Sequence, residues 1–273
     1  MKYLVTGGAG FIGSHIVDEL ISGGHEVIVI DNEYSDVHEQ FYWNVKASNH
    51  KVDIRNYNDI EPLFKGVDFV FHLAAESRIQ PAILNPITAV EINVVGTCNV
   101  LQSSRVNGVK RVMYSSTSSA YGLKNSPPLR EDMVKDCLNP YSISKTAGEE
   151  LCKMYTDLFG LETISFRYFN VYGERQPLKG QYAPVVGLFL QQKLRGEPMT
   201  VVGDGLQTRD YTHVSDVVRA NILASQCTGG IGEIFNVGTG KQTSILDLVG
   251  MVGGSHIHLP ERVGESRFTE ADI

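Results

Sequence analysis

The chain has 273 residues, 42% hydrophobic and 20% charged, enough apolar material for one large domain or a main domain with a smaller lobe. A net charge of -7 argues against nucleic acid or an anionic membrane as main partners. No apolar run reaches the ~18 residues of a membrane span, and Met1 leads without a signal peptide into Lys2-Tyr3-Leu4-Val5, so a cytoplasmic protein is expected. Cys98, Cys137, Cys152 and Cys227 have no CxxC spacing and no paired histidines. They read as free thiols, with no metal site.

Along the chain, short apolar strands alternate with helical patterns. Lys2–Thr6 is predicted as a strand and Phe11–Ser22 as a helix, with Ile12, Ile16, Val17 and Leu20 on one face and Gly23-Gly24 as its stop. Strands are expected at 26–30, 67–73, 111–115 and 162–167, and long helices at 83–107 and 142–159. Such alternation means βαβ units and right-handed crossovers: an α/β fold with a Rossmann-type doubly wound parallel sheet. After Asn170 the rhythm breaks. Residues 174–183 read as a substrate-side loop, 183–195 and 214–225 as helices, and 233–237 as a strand that rejoins the main sheet. The expected division is 1–168 with 211–241 as the dinucleotide-binding domain, and 169–210 with 242–273 as a smaller, discontinuous substrate lobe.

The run Gly7-Gly8-Ala9-Gly10-Phe11-Ile12-Gly13 follows a strand and opens a helix. Glycines there permit a tight turn, let the backbone approach a pyrophosphate and pack the helix on the strand. The helix N-terminus offers unpaired N–H groups to the phosphates. Asp31 follows Gly13 by 18 residues, at the end of the second strand. Its carboxylate can accept from a ribose 2′-OH and would repel a 2′-phosphate, so NAD is favoured over NADP.

Tyr141-Ser142-Ile143-Ser144-Lys145 is a YxxxK pattern at the start of a predicted helix, so Lys145 shares a face with Tyr141. A phenol with a pKa of ~10 must be brought to about 7 to act as a base, which asks for roughly 4 kcal/mol in favour of phenolate. A nearby ammonium and a cationic nicotinamide are suitable causes. Tyr114-Ser115-Ser116-Thr117 follows an apolar strand, where a parallel sheet presents ligands, and a hydroxyl there can reach both substrate and Tyr141.

With these motifs the chain resembles the extended short-chain dehydrogenase/reductase family, and within it the nucleotide-sugar 4-epimerases acting on UDP-glucose or UDP-N-acetylglucosamine. Further marks are Asp53-Ile54, His72-Leu73-Ala74-Ala75, Asn139-Pro140-Tyr141, Arg167-Tyr168-Phe169-Asn170-Val171-Tyr172-Gly173, Thr208-Arg209-Asp210-Tyr211 and Arg262-Val263-Gly264-Glu265. The resemblance implies Thr117, Tyr141 and Lys145 as catalytic residues. It implies an NAD site of Gly7, Gly10, Phe11, Ile12, Gly13, Asp31, Asn32, Asp53, Ile54, Leu73, Ala74, Ala75, Asn93, Ser115, Tyr141, Lys145 and Tyr168. It implies a UDP-sugar site of Ser77, Thr117, Asn170, Arg209, Arg262 and Thr269, and a homodimer formed through the helices at 83–107 and 142–159.

The reaction so implied is epimerisation at C4: oxidation to a 4-keto sugar, rotation, and return of hydride to the other face. Related dehydratases carry a carboxylate pair or Ser-Glu after the catalytic Thr; here Ser118-Ser119 follow. Glucuronate epimerases tend to have Thr and Arg where this chain has Asn170 and Pro177. Thr269 aligns with a position that is bulky in strict hexose epimerases, which suggests room for an N-acetyl group. An oxidoreductase with net NAD turnover and a non-catalytic NAD-binding scaffold are the other readings. Relatives of this type continue past Ala271-Asp272-Ile273, so the smaller lobe is expected to be weakened and residues 255–273 poorly held.

Overall fold

The computed structural model describes residues 1–178, 184–261 and 266–273. In chain order the strands are β1 (Lys2–Thr6), β2 (Glu26–Asp31), β3 (Ser48–Lys51), β4 (Phe69–His72), β5 (Arg111–Thr117), β6 (Glu162–Tyr168), β7 (Val171–Tyr172), β8 (Met199–Val202), β9 (Thr208–Arg209), β10 (Thr212–His213), β11 (Ile234–Val237), β12 (Thr243–Ser244) and β13 (His256–Leu259). The helices are α1 (Phe11–Ser22), α2 (Tyr57–Ile60), α3 (Ile79–Leu84), α4 (Pro86–Val90), α5 (Thr97–Val106), α6 (Pro140–Phe159), α7 (Val185–Leu194), α8 (Val214–Gln226) and α9 (Ile245–Val252).

Seven strands form one parallel sheet in the order β11-β6-β5-β4-β1-β2-β3. Strand alternation divides its apolar side chains between two faces. Tyr3, Val5, Val27, Val29, Phe71 and Met113 pack with Ile16 and Val17 of α1 and Val214 and Val217 of α8. Leu4, Ile28, Ile30, Val70 and Val112 pack with Val100 and Leu101 of α5 and Cys152 and Tyr155 of α6. Each such side chain contributes about 1.5–3 kcal/mol on full burial. The strand order reverses between β1 and β4, which opens a crevice at the carboxyl ends of the strands. A separate small core joins Phe189 of α7, Met199 and Val201 of β8, and Ile245, Leu248 and Val249 of α9.

Three expectations change. The 83–107 helix is instead α3, α4, a π-helical segment Glu91–Gly96, and α5. Pro86 lacks an N–H to continue α3 and opens α4, with Asn85 accepting from Thr88 N at 3.3 Å. Apolar periodicity had hidden this break. Strand β3 was not expected, because Ser48-Asn49-His50-Lys51 is a polar edge strand without alternation. The C-terminal residues 266–273 are held: Leu129 N donates to Glu270 O at 2.8 Å, Asp272 N to Leu129 O at 3.0 Å, and Ala271 is 2% exposed.

Candidate active site

The carboxyl ends of the strands open into one cleft of about 750 Å³. Gly7 has φ +69, and a side chain there would begin 2.7 Å from Ala74 N. One on Gly13 would begin 2.2 Å from Gly7 O, so α1 packs on the turn only without it. At Gly10 the nearest atom is 3.4 Å away and no side chain caps α1. The first-turn N–H groups of α1 thus face an open cradle bounded by Phe11 and Ile12, as a pyrophosphate requires.

Asp31 closes β2 and is fixed by Ala9 N (3.1 Å) and Glu33 N (2.8 Å). Burial raises its pKa, and those two N–H bonds oppose the rise. The next carboxylate, Glu33, is taken up by an ion pair with Lys51 and a bond from Trp43 Nε1. Asn32 donates to Asp53 at 2.8 Å, and Asp53 is paired with Arg55 at 2.7 Å. Asn32, Asp53, Ile54, Leu73, Ala74, Ala75 and Ser77 all line the cleft.

Its other end carries Ser115, Thr117, Tyr141, Lys145, Tyr168, Asn170 and Arg209. Helix α6 starts at Pro140 behind a capping box, with Ser142 N donating to Asn139 Oδ1 at 2.9 Å. That cap fixes the first turn and sets Tyr141 at the end of β5, where the Thr117 side chain is near enough to favour its phenolate. Ser115 Oγ lies 3.0 Å from Tyr168 OH, which accepts from Asn221 at 2.7 Å. Beneath, Ser116 donates to Glu149 at 2.6 Å, and Arg167 holds both Glu149 oxygens at 2.9 Å.

Lys145 is 4% exposed, with Nζ 4.5 Å from the centre of the Tyr114 ring. Gly148 makes this approach possible: a side chain there would begin 2.1 Å from Tyr114 OH. Burial pushes the Lys145 ammonium down to about 7. The expected lowering of Tyr141 is not what the protein alone produces. Burial raises the phenol's pKa, the nearby Thr117 side chain lowers it, and the Glu76 carboxylate raises it further. In a dry site either charge is disfavoured until a ligand supplies a partner.

Asn93 does not line the cleft. It sits one layer behind, accepting from Glu76 N (2.8 Å) and donating to Glu76 O and Ser144 Oγ (both 2.9 Å). Ser144 in turn donates to Tyr141 O at 2.9 Å, so Asn93 braces α6 against the segment after β4. Thr269 also lies off the cleft; its hydroxyl accepts from Asn170 and from Asp210 N, each at 3.4 Å. Arg262 lies outside the described residues. Tyr211 lines the cleft and was missed as a site residue, although it sits in the Arg-Asp-Tyr run. Its hydroxyl is buried without a hydrogen-bond partner among the described residues, and burial pushes it up to about 12.

The NAD dependent epimerase/dehydratase family model matches residues 3–238. The chain belongs to this family. A Methanocaldococcus jannaschii relative, provisionally named UDP-glucose 4-epimerase, is 41% identical over 91% of this chain and 80% of its own. A UDP-N-acetyl-alpha-D-glucosaminuronate decarboxylase of Bacillus cytotoxicus is 40% identical over 90% of this chain and 78% of its own. The crystal structure of a Thermotoga maritima UDP-glucose 4-epimerase with UDP-glucose superposes with a TM-score of 0.94 at 36% identity, covering 100% of this chain and 90% of the other. Family membership makes NAD the cofactor.

Proposed function

We propose that this chain is an NAD-dependent UDP-sugar 4-epimerase, interconverting UDP-glucose and UDP-galactose or their N-acetylhexosamine counterparts. The observation that carries the reading is that Thr117, Tyr141 and the buried Lys145 line one end of the same cleft whose other end holds the glycine turn and Asp31. The hydroxyl residues Ser118 and Ser119 follow Thr117, where a dehydrating enzyme needs a carboxylate.

Tyr141 takes the 4-OH proton while Thr117 holds the same oxygen. NAD, held along the glycine turn and Asp31, would supply the hydride acceptor for C4 and the donor for its opposite face. Lys145 keeps its charge next to Tyr141 once ribose hydroxyls replace lost water, and favours the phenolate. Arg209 and Tyr211 suit a diphosphate on the smaller-lobe side, which leaves the sugar free to turn. The discontinuous lobe of 169–210 and 242–273 is the substrate side in this reading.

A panel of UDP-sugars followed by NMR, with NADH absorbance read alongside, tests it. C4 epimers without net NADH support the assignment; NADH accumulation assigns a dehydrogenase. An acidic sugar oxidised at C4 becomes a β-keto acid, so CO2 release from UDP-glucuronate assigns a decarboxylase instead.

A homodimer accompanies the proposal. On α6 the residues Ile143, Ala147, Leu151, Met154 and Leu158 recur at helical spacing, with Ile143 at 55% and Leu158 at 67% exposure. Leu84 and Ile87 beside them are 84% and 71% exposed. Such a stripe favours pairing with a second copy. A sedimentation mass matching the 30.1 kDa chain would reject the dimer.

A further inference from the structure

The connection from β2 to β3 carries Tyr34, His38, Phe41, Tyr42 and Trp43. It lies along the dinucleotide cleft, which Val37, His38 and Phe41 line. Both sides of the cleft hold it down. On the α1 side, Tyr42 N donates to Ala9 O at 2.7 Å and Asn44 donates to Asp18 at 2.7 Å. On the side after β4, Arg78 donates to Asp36 at 2.9 Å. Trp43 Nε1 donates back to Glu33 at 2.8 Å, which closes the segment on itself.

His38 stands over the glycine turn. Its Nε2 is 3.7 Å from the point where a Gly10 side chain would begin. Gly10 caps α1, whose first-turn N–H groups would hold the inner oxygens of a pyrophosphate. The outer oxygens would face His38. Arg78, also lining the cleft, has Nε buried without a hydrogen-bond partner among the described residues, with Glu76 3.9 Å away. Burial and the Arg78 charge both lower the His38 pKa. An anion between the two would remove that repulsion.

We propose that the β2–β3 connection is a cap on the dinucleotide, and that His38 donates a ring N–H to the pyrophosphate from the face opposite the α1 N-terminus, with Arg78 latching the cap through Asp36. A neutral imidazole suffices, since one of its nitrogens always carries a proton. The inference rests on the NAD reading of the cleft. It gives that reading a retention device, fitting a cofactor that is regenerated within each cycle.

The chain's one tryptophan, Trp43, sits in the cap and reports on it by fluorescence. The experiment titrates stripped protein with NAD, ADP-ribose and adenosine, and times release of NAD from the loaded protein. His38→Phe keeps a ring and removes the donor. It is expected to weaken NAD and ADP-ribose about tenfold and to leave adenosine unchanged, while His38→Gln recovers most of the loss. Asp36→Asn is expected to speed NAD release. Equal weakening of all three ligands would make His38 a packing residue and overturn the proposal. Unchanged or tighter NAD binding in His38→Phe would overturn it too. Wild-type protein that binds no NAD would sink the NAD reading itself, before any variant is compared.

Discussion

Replacing Lys145 with Met should make the NAD-free protein more stable while abolishing turnover. The Lys145 ammonium falls from an ordinary 10.5 to about 7 because burial outweighs the pull of the Glu149 carboxylate. That fall amounts to about 5 kcal/mol of disfavour for the charged form. The unfolded chain keeps the proton up to 10.5, and the folded chain sheds it above about 7. Below 7 folding must therefore bury a charge, and the full disfavour applies. At pH 7 about 4 kcal/mol remains, at pH 9 about 2, and near 10.5 almost none. Met fills the space of the aliphatic stem and carries no charge. Urea unfolding of stripped Lys145→Met and wild type, from pH 6 to pH 10, should show a gain that is largest at low pH and fades as pH rises. Turnover should drop at least about a hundredfold, since the phenolate loses its cation. A variant no more stable at pH 7, or a gain indifferent to pH, would refute the burial argument.

Two further substitutions test the scaffold under the site. Gly148→Ala places a methyl 2.1 Å from the fully buried Tyr114 hydroxyl, so α6 must shift; a loss of about 1–3 kcal/mol in urea unfolding is expected, with adding Tyr114→Phe recovering part of it. Glu149→Gln strips the partner from Arg167 and Lys135 and should cost about 3–5 kcal/mol. Burial raises the Glu149 carboxyl, but the Arg167 bonds win and hold it below its ordinary 4.5. The wild-type advantage over Glu149→Gln should therefore be present at neutral pH and disappear as pH falls below that range, read from thermal melts.

What could be read from the chain was what is local in it. The glycine turn and Asp31 lie on one strand-turn-helix-strand unit, and Tyr141 and Lys145 are one helical turn apart, so spacing alone put them together. Asn93 was placed beside the cofactor because its neighbours are there; the π-helical segment instead turns it into the layer behind, where it braces α6. Thr269 had a register from the motif before it but no contacts. Its hydroxyl is taken up by Asn170 and Asp210, so its sequence position does not translate into a pocket wall. The electrostatics were the least legible. YxxxK fixes which groups meet, but the sign of each shift depends on burial, and burial of both sends Tyr141 up and Lys145 down. His38 and Tyr211 escaped because their roles depend on what faces them across the cleft.

The central claim is that one carbon gives up a hydride and receives it back inside a single closed site. A UDP-hexose deuterated at C4 tests this most directly, with product read by NMR. The account predicts inverted configuration with the deuterium still on C4 and none in the solvent or in free NADH. Deuterium washed into solvent, or a product formed with net reduction of NAD, would contradict it.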